Sequence, residues 1–551
     1  MATPANLRLP VIQPATDLVA FEPLELPAIQ APGDAPLLGI SSQELQARKA
    51  LRTSSYTIYV DLPGDPDDML LVHGYTGAYD RVSRRVATYL RSLESRHAPK
   101  PLYGDWSPEP ALDGEIVKPS DETISILARR GYLVALTPDE EEALFSRVAT
   151  RIHGGIIRSA PSYILMPTYQ CNLRCSYCFQ DHMRTDPAYG HLLRAMDVPM
   201  VERILGGMRQ IEAAHGIPED IASTRRITFF GGEPLLAGNR PIIERFITRL
   251  REMGTASFTA VTNATELDAY RDLLGPGLIQ LVQVTIDGPP AEHDRRRVYA
   301  DRSGSYARIA DNITMALERG VQVSVRMNID RKNIDQLPAL ADEFHARGWL
   351  EHPKFAPYVA PIHAANEHVD ARSTFTSWQL GRAMEELKQQ HPRLGRVGMT
   401  DDAIHRRARE IFDSNGEGRA HPGFRSAFCG AHTTMYVIDA FADIYACWER
   451  TGDPSLRIGH IAESGTVLMN RAVLDRWRRR NVVSNPVCRK CRYAASCGGG
   501  CAVYAEEASG DAYTNHCDGY AKRFRTGVAE AYLAYQRGES RDTEMLRLCD
   551  A

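Results

Sequence analysis

The chain has 551 residues, which is too long for one ordinary hydrophobic core and predicts about two to four domains. Its 65 basic and 69 acidic residues give a net charge of −4, which excludes the broad positive field that holds a nucleic acid. The N-terminus has no basic segment before an apolar run, and nowhere do about 18 apolar residues follow one another, so we expect a cytoplasmic protein without a membrane partner.

The first two thirds of the chain predict three units. Residues 1–53 are rich in proline and alanine without a period, which predicts an extended arm. Residues 54–150 combine strand patterns, in SYTIYVDL and DDMLLVHGYTGAYDRV, with the helical patterns VSRRVATYLRSLE and DETISILARRGYLVAL, so we expect a small α+β domain. Residues 155–360 alternate six strand patterns with helical ones, which predicts an α/β fold with a parallel sheet or a partial (β/α)6 barrel.

The last third is more polar and richer in loops. A helical linker is predicted over residues 361–424, and a helix and tail over residues 521–551. Between them, residues 425–520 are dense in cysteine and poor in apolar periodicity. A segment of that kind is expected to fold around metals rather than around a large apolar core.

Three cysteines form a Cx3Cx2C loop directly after the first predicted strand of the α/β region, at Cys171, Cys175 and Cys178. In a reducing compartment, clustered cysteines are more typical of metal sites than of disulfides. Three thiolates can hold three irons of a [4Fe–4S] cluster and leave the fourth iron open. A structural zinc site would need a fourth protein ligand, and the loop offers no Cys or His before His182.

Further motifs each end a predicted strand, and together with the cysteine loop they resemble the radical S-adenosylmethionine (SAM) family. They are Gly231, Gly232 and Glu233 in FFGGEP, Asn263 in VTNAT, Thr285 and Asp287 in VTIDG, and Arg326 and Asn328 in VRMNID. In βα barrels the chemistry lies at the C-terminal ends of the strands, so this shared placement favours one site.

The resemblance implies that the open iron binds SAM and that an electron from the cluster releases a 5′-deoxyadenosyl radical, which abstracts hydrogen from a substrate. It also implies an electron donor such as flavodoxin or ferredoxin. By the same resemblance, Glu233 and the preceding glycine backbone receive the SAM ammonium, and the Thr285 hydroxyl lies near the ribose or carboxylate. Tyr177 and Phe179 flank Cys178, where the family places an aromatic residue near the adenine. Ala264 stands where the family usually has glycine.

A second group of cysteines resembles the SPASM domain, which carries two auxiliary [4Fe–4S] clusters. The group comprises Cys429, Cys447, Cys488, Cys491, Cys497, Cys501 and Cys517. Three clusters are therefore expected in all. A pair of zinc ribbons is the alternative, but seven cysteines do not divide into two four-cysteine sites.

The resemblance assigns the seven cysteines to two ligand sets. One set is Cys488, Cys491, Cys497 and Cys517, and the other is Cys429, Cys447 and Cys501. The second set lacks a fourth ligand, so that cluster either has an open iron or takes His432, Cys549 or a substrate thiol. Ala442 is a second departure, because the family usually has glycine five residues before the second SPASM cysteine.

The resemblance also bears on the substrate. SPASM enzymes mostly modify peptides or proteins, and residues 54–150 look like the winged-helix element that binds leader peptides by strand addition. A structural cap on the barrel is the alternative for this unit. Sulfatase maturases carry an Asp directly after the second SPASM cysteine, whereas this chain has Trp448 followed by Glu449, which becomes the candidate base.

The predicted function is hydrogen abstraction from a residue of a ribosomally made precursor peptide, leading to a crosslink, an epimerisation or another oxidation. A sulfatase-maturase-like enzyme or a small-molecule dehydrogenase is the alternative within this chemistry. A non-catalytic iron–sulfur or zinc adaptor is the alternative from another class. A scaffold has no use for an open iron beside a SAM pocket, so the Cx3Cx2C loop with GGEP favours an enzyme.

Overall fold

The protein is described here from a computed structural model. It covers residues 19–20, 48, 50–95, 108–218, 224–364, 366, 368–399, 402–413 and 423–538. Most of the predicted arm over residues 1–53 lies outside the described residues, as do Cys549 and the tail after residue 538.

The N-terminal unit, residues 54–150, contains a three-stranded antiparallel sheet followed by helices. Its strands are Thr57–Leu62, Asp65–His73 and Tyr79–Ser83, and they pair in that order. The helices are Arg84–Ser92, Asp121–Arg129 and Pro138–Ile157, the last of which continues beyond the unit. The order of strands and then helices agrees with the sequence prediction.

One segment of this unit differs from its prediction. The pattern LARRGYLVAL suggests a continuous helix, but the helix ends at Arg129 and Leu133–Val134 forms a short strand that pairs with Arg52–Thr53. Gly131 adopts a left-handed backbone with φ of 87°, which favours glycine and ends the helix. Periodicity alone does not reveal this stop.

The sheet of the N-terminal unit is buried on both faces. Its own helices cover one face, where Tyr59 and Leu71 pack with Leu127. Helices Asp402–Asp413 and Tyr520–Gln536 cover the other face. The unit therefore shares a core with the C-terminal part of the chain.

The central domain is a partial barrel of six parallel strands, which confirms the predicted fold class. The strands are Ser162–Leu165, Arg225–Phe229, Ala256–Thr262, Ile279–Thr285, Gln322–Ile329 and Phe355–Pro361. They lie side by side in chain order. The outer helices are Val198–Ala214, Arg240–Glu252, Pro290–Arg296, Tyr306–Glu318 and Leu337–Ala346, and a 3₁₀ stretch covers Leu267–Leu273.

The linker after the barrel contains the helices Ser377–Gln390 and Asp402–Asp413 and a short strand, Gly398–Met399, that pairs with the sixth barrel strand. The cysteine-rich region has the helices Arg471–Arg479, Pro486–Arg489, Ala494–Cys497 and Ala502–Ser509, and Tyr520–Gln536 follows it. Among the helices that the structure describes, none is both long enough and apolar enough to cross a membrane.

The cysteine-rich region also extends the barrel sheet, although its sequence suggests mainly loops. Met435–Ile438 pairs in parallel with the first barrel strand. Asp443–Tyr445, Gly459–Ile461 and Val467–Met469 continue the sheet in antiparallel order, followed by Val19–Ala20. This continuous sheet places the cysteine-rich region beside the first strand, directly before the Cx3Cx2C loop.

Candidate active site

The Cx3Cx2C loop lies against the turn that ends the second barrel strand. A Cβ on Gly231 would lie 2.4 Å from the carbonyl oxygen of Thr168, and one on Gly232 would lie 2.3 Å from the carbonyl oxygen of Tyr169. Only glycine permits such an approach. The Gly-Gly pair of FFGGEP therefore sets the position of the loop.

The three thiols of the loop repel one another and have cationic neighbours. Burial raises the pKa of Cys175 to about 12, with further repulsion from Cys171 and Cys178. Arg184 donates from Nη2 to the sulfur of Cys178 at 3.1 Å, and the Arg297 guanidinium attracts Cys175. Thiols that converge in a buried, cation-lined loop fit an iron–sulfur cluster, since iron binding deprotonates them and neutralises their charge.

Glu233 is fully buried and tied to the protein by three hydrogen bonds. Its carboxylate accepts from the amides of Leu235 at 2.9 Å and Asn263 at 2.5 Å, and from the Thr262 hydroxyl at 2.6 Å. Burial raises its pKa to about 7. Glu233 therefore joins the second strand end to the third, in addition to the SAM contact that its motif predicts.

We expect Glu233→Gln to lower the free energy of unfolding by about 1 to 3 kcal/mol, because an amide NH2 would face donors that now meet an oxygen. Thermal unfolding of the purified protein measures this effect. Glu244→Gln, at an exposed helix position, is the control and should change stability by less than about 0.5 kcal/mol. Equal stability of both variants would show that Glu233 serves ligand binding alone.

Tyr177 is the centre of a buried polar network. Its hydroxyl contacts the Asp287 carboxylate and accepts from Arg297 Nη1 at 2.6 Å and Asn328 Nδ2 at 3.3 Å. Asp287 also accepts from the Asn328 amide at 2.9 Å. The network joins the cysteine loop to the fourth and fifth strand ends, so Asp287 and Asn328 position Tyr177. Phe179 is half-buried beside the same loop.

The third strand end approaches the loop from the other side. Asn263 donates from Nδ2 to Asn172 at 2.9 Å and lies 3.7 Å from the sulfur of Cys171.

Ala264 and Ala442 have left-handed φ angles of 61° and 62°. The families that the sequence resembles usually have glycine at both positions, and a non-glycine residue there costs roughly 1 to 2 kcal/mol. Both motifs therefore keep a left-handed backbone at these positions although each has alanine in place of glycine.

A polar row crosses the inner face of the barrel near its C-terminal edge. Thr285, Arg326 and Tyr358 are register neighbours on three adjacent strands. Arg326 donates from Nε to Asn328 at 2.8 Å, and Tyr504 of the cysteine-rich region is one of its electrostatic neighbours. The row therefore marks the point where the barrel opens toward that region.

Glu449 and Trp448 face this opening from the cysteine-rich side. The Trp448 ring lies 6.1 Å from the ring of Phe230, which precedes the Gly-Gly pair. Burial raises the pKa of Glu449, against the attraction of His363 and Arg326. A carboxylate with a raised pKa at the mouth of a barrel is suited to proton transfer.

The electrostatic neighbours of Cys447 and Cys488 are other auxiliary cysteines, while the division of all seven into two ligand sets stays a prediction. Burial raises the pKa of Cys488, and repulsion from Cys491, Cys497 and Cys517 raises it further. Burial also raises the pKa of Cys447, with further repulsion from Cys429 and Cys501. Asn515 donates to the sulfur of Cys517 at 3.1 Å. Within the described residues, no three His, Cys, Asp or Glu side chains are grouped to hold a single metal ion.

His432 was one candidate for the missing fourth ligand. Its Nδ1 lies 3.0 Å from the carbonyl oxygen of Trp477, and its Nε2 lies 3.5 Å from Nη1 of Arg480. Both ring nitrogens therefore have protein neighbours. The other protein candidate, Cys549, lies outside the described residues.

Residues 165–344 match the family model described as the Radical SAM superfamily. The chain contains a radical SAM domain. The GTP 3′,8-cyclase of Caulobacter vibrioides is 24% identical over 183 residues, which are 33% of this chain and 47% of that protein. The mycofactocin maturase MftC of Mycolicibacterium smegmatis is 24% identical over 355 residues, which are 61% of this chain and 76% of that protein.

The solved structure of native anSMEcpe with bound AdoMet has a TM-score of 0.50 and 16% identity, and the match covers 69% of this chain and 100% of that chain. At this identity the likeness concerns the fold alone. The chain spans about half the length of the GTP 3′,8-cyclases that it matches, since the aligned part is 47% of each of three such proteins.

Two residues of the radical SAM domain were missed by sequence reasoning. Arg184 and Arg297 place guanidinium groups at the Cx3Cx2C loop, and the Nε of each is buried without a hydrogen-bond partner. Neither belongs to a motif, because each reaches the loop through folding rather than through fixed spacing. The only signal is that Arg184 follows Cys178 by six residues.

Proposed function

We propose that this chain is a radical SAM maturase that removes a hydrogen atom from a residue of a ribosomally made precursor peptide, producing a crosslink, an epimerisation or another oxidation. The observation that carries the proposal is that the Cx3Cx2C loop and Trp448, which precedes Glu449, both lie against the turn that ends the second barrel strand. The resemblance to mycofactocin maturase MftC supports it, because that relationship extends beyond the radical SAM domain.

The proposed cofactors are SAM and three [4Fe–4S] clusters. Cys171, Cys175 and Cys178 would hold the first cluster, and the two auxiliary cysteine sets would hold the others. SAM would contact the motif residues Gly231, Gly232, Glu233, Asn263, Thr285, Arg326 and Asn328. When bound, these groups supply the one-electron chemistry that removes hydrogen from a substrate carbon, with electrons from a donor such as flavodoxin or ferredoxin.

The chain's own residues enclose the reaction space. Trp448 packs beside Phe230 and covers the second strand end. Tyr504 stacks on His363 with 3.9 Å between ring centroids, and His363 Nε2 lies 2.8 Å from Glu507. These contacts join the cysteine-rich region to the sixth strand end, so substrate would react in a site shielded from water.

Glu449 is the proposed proton acceptor, so Glu449→Gln should lower peptide modification by about 100-fold or more. The wild-type rate should fall as the pH falls through the raised pKa of Glu449, because only the carboxylate accepts a proton. Mass spectrometry of the peptide measures modification, and 5′-deoxyadenosine release measures SAM cleavage. We expect SAM cleavage to persist in the variant. Full modification by Glu449→Gln would exclude Glu449 as the base.

The N-terminal unit offers a sheet edge for a leader peptide, although the carbonyl oxygen of Tyr79 at its start already accepts from Arg130 Nη2 at 2.9 Å. Strand Tyr79–Ser83 is the last of its sheet, and no further strand pairs with it in the described chain. The main-chain amide of His73 donates to the carbonyl oxygen of Ala78 at 2.8 Å, so by antiparallel alternation the main-chain groups of Arg81 point away from the sheet. A leader strand could bond to those groups.

Two variants of Arg81 separate main-chain from side-chain effects. We expect Arg81→Pro to weaken binding of a leader peptide about tenfold, because proline removes the outward N–H. Arg81→Ala keeps that N–H and loses the exposed side-chain contacts with Asp65, Asp68 and Tyr532, so binding should change by less than about threefold. Fluorescence anisotropy with a labelled peptide encoded beside the gene measures both. Equal binding by both variants would make the unit a structural cap.

A further inference from the structure

Arg480 lies between the two auxiliary cysteine sets. It follows helix Arg471–Arg479 and is only 4% exposed. Its guanidinium donates to the carbonyl oxygens of Ala512, of Thr514 at 3.1 Å and of Gly499 at 3.4 Å. One side chain therefore bonds to two separate loops.

Both loops carry auxiliary cysteines. Gly499 lies in the Gly-Gly-Gly turn between Cys497 of the set of four and Cys501 of the set of three, and a Cβ on Gly499 would lie 3.6 Å from the sulfur of Cys488. Thr514 precedes Cys517 by three residues. Burial lowers the pKa of the guanidinium, and cysteines of both sets oppose that shift: Cys488, Cys501, Cys429 and Cys497.

No carboxylate in the described part of the chain lies within ion-pair distance of Arg480, whose other close neighbour is His432 at 3.5 Å. A buried cation without a compensating anion costs several kcal/mol. When iron is bound, the deprotonated cysteines of the two sets would be the nearest anions. The two auxiliary sites would therefore supply the negative charge that compensates the buried positive charge of Arg480.

We infer that Arg480 is a buried cation shared by the two auxiliary sites, which fixes their relative position and raises the reduction potential of an iron–sulfur cluster in each. A cluster becomes more negative when it gains an electron, so a fixed positive charge favours the reduced form, and charge and hydrogen bonding near the sulfurs set the potential. Arginine suits the position because its planar fork reaches several carbonyls at once. The inference rests on the proposed function, since it requires clusters in both sets.

The test compares Arg480→Gln with Arg478→Gln by EPR-monitored redox titration of the reconstituted full chain. Arg478 is a matched control: it is also buried, in the last turn of the helix that Arg480 follows, and it lies over the Tyr436 ring at 5.3 Å. In Arg480→Gln we expect the ratio of reduced to oxidised auxiliary clusters, at a fixed potential, to fall about tenfold, which is 59 mV for one electron. Arg478→Gln should change it less than about threefold.

Arg480→Lys keeps the positive charge but lacks the planar guanidinium that bonds to several carbonyls. We therefore expect nearly unchanged reduction potentials of the auxiliary clusters together with a lower melting temperature. Should Arg480→Gln fail to assemble, full iron and unchanged potentials in Arg480→Lys would support the inference, and failure of both would overturn it. Three clusters with unchanged potentials in Arg480→Gln would overturn the inference alone. Wild-type protein with iron only at the Cx3Cx2C loop would overturn the inference and also the auxiliary-cluster part of the proposed function.

Discussion

Simultaneous replacement of Cys171, Cys175 and Cys178 by alanine is expected to abolish SAM cleavage and to remove about one third of the iron. The thiols of this loop are the ligands of the first cluster in our proposal, and the two auxiliary sets would retain the remaining two thirds. Iron and sulfide analysis after anaerobic reconstitution measures the loss of the cluster, and 5′-deoxyadenosine release under reducing conditions measures cleavage.

The matched control removes the same number of thiols from an auxiliary set. Alanine at Cys429, Cys447 and Cys501 should also remove about one third of the iron, but uncoupled SAM cleavage should remain. Cleavage that survives loss of the Cx3Cx2C loop would contradict the assignment of the first cluster. Stoichiometric zinc without iron–sulfur absorbance in the wild type would contradict all three clusters.

Arg492→Met is expected to lower the free energy of unfolding by about 3 to 5 kcal/mol. Arg492 follows Cys491 directly, and its side chain is fully buried in the N-terminal unit. It donates from Nη1 to the carbonyl oxygen of Thr57 at 2.5 Å and pairs with Glu94 at 3.3 Å, where the Glu94 side chain is 1% exposed. Methionine would leave that carboxylate buried without one of its cations.

Thermal and chemical unfolding measure this loss. Arg489→Met is the control, because Arg489 is 39% exposed and its Nε lies 3.5 Å from Glu142, so its removal should cost less than about 1 kcal/mol. Equal stability of the two variants would mean that the N-terminal unit does not depend on Arg492 for docking. A large difference would show that the unit and the cysteine-rich region unfold together.

This shared core affects how peptide recognition should be tested. Tyr56 and Phe145 of the N-terminal unit pack with Ala494 and Ala495 of the cysteine-rich region. Deletion of residues 54–150 would expose these apolar surfaces and disturb the auxiliary sites, whatever the unit binds. The Arg81 pair avoids that problem because the outer strand edge lies away from these contacts.

The barrel and its motifs were predictable because each depends on local sequence. Strands such as Gln322–Ile329 alternate polar residues with apolar, mostly β-branched ones, and the motif residues lie at or just after their C-terminal ends. The two auxiliary cysteine sets were assigned by resemblance and stay a prediction, with which the electrostatic neighbours of Cys447 and Cys488 agree. Ala264 and Ala442 were recognised as departures from glycine, and the structure keeps the left-handed backbone at both.

Other features depend on contacts that no local pattern contains. The strands Asp443–Tyr445 and Gly459–Ile461 have three residues each, too few to display a period, and they form because the barrel sheet offers an edge. Arg297 and Arg480 were missed because the sequence does not show which thiols the fold places near a buried guanidinium. The three hydrogen bonds of Glu233 were equally hidden, since two of the donors belong to the neighbouring strand end.

The most direct test of the proposed function is deuterium transfer from a labelled precursor peptide to 5′-deoxyadenosine. Reconstituted protein would be incubated with SAM, a reductant and deuterated forms of the peptide encoded beside the gene, and the deoxyadenosine would be analysed by mass spectrometry. We predict deuterium in the deoxyadenosine from one residue of the peptide, together with loss of that atom from the modified product. Deoxyadenosine that forms without deuterium from any peptide position, or no deoxyadenosine at all, would contradict the proposal.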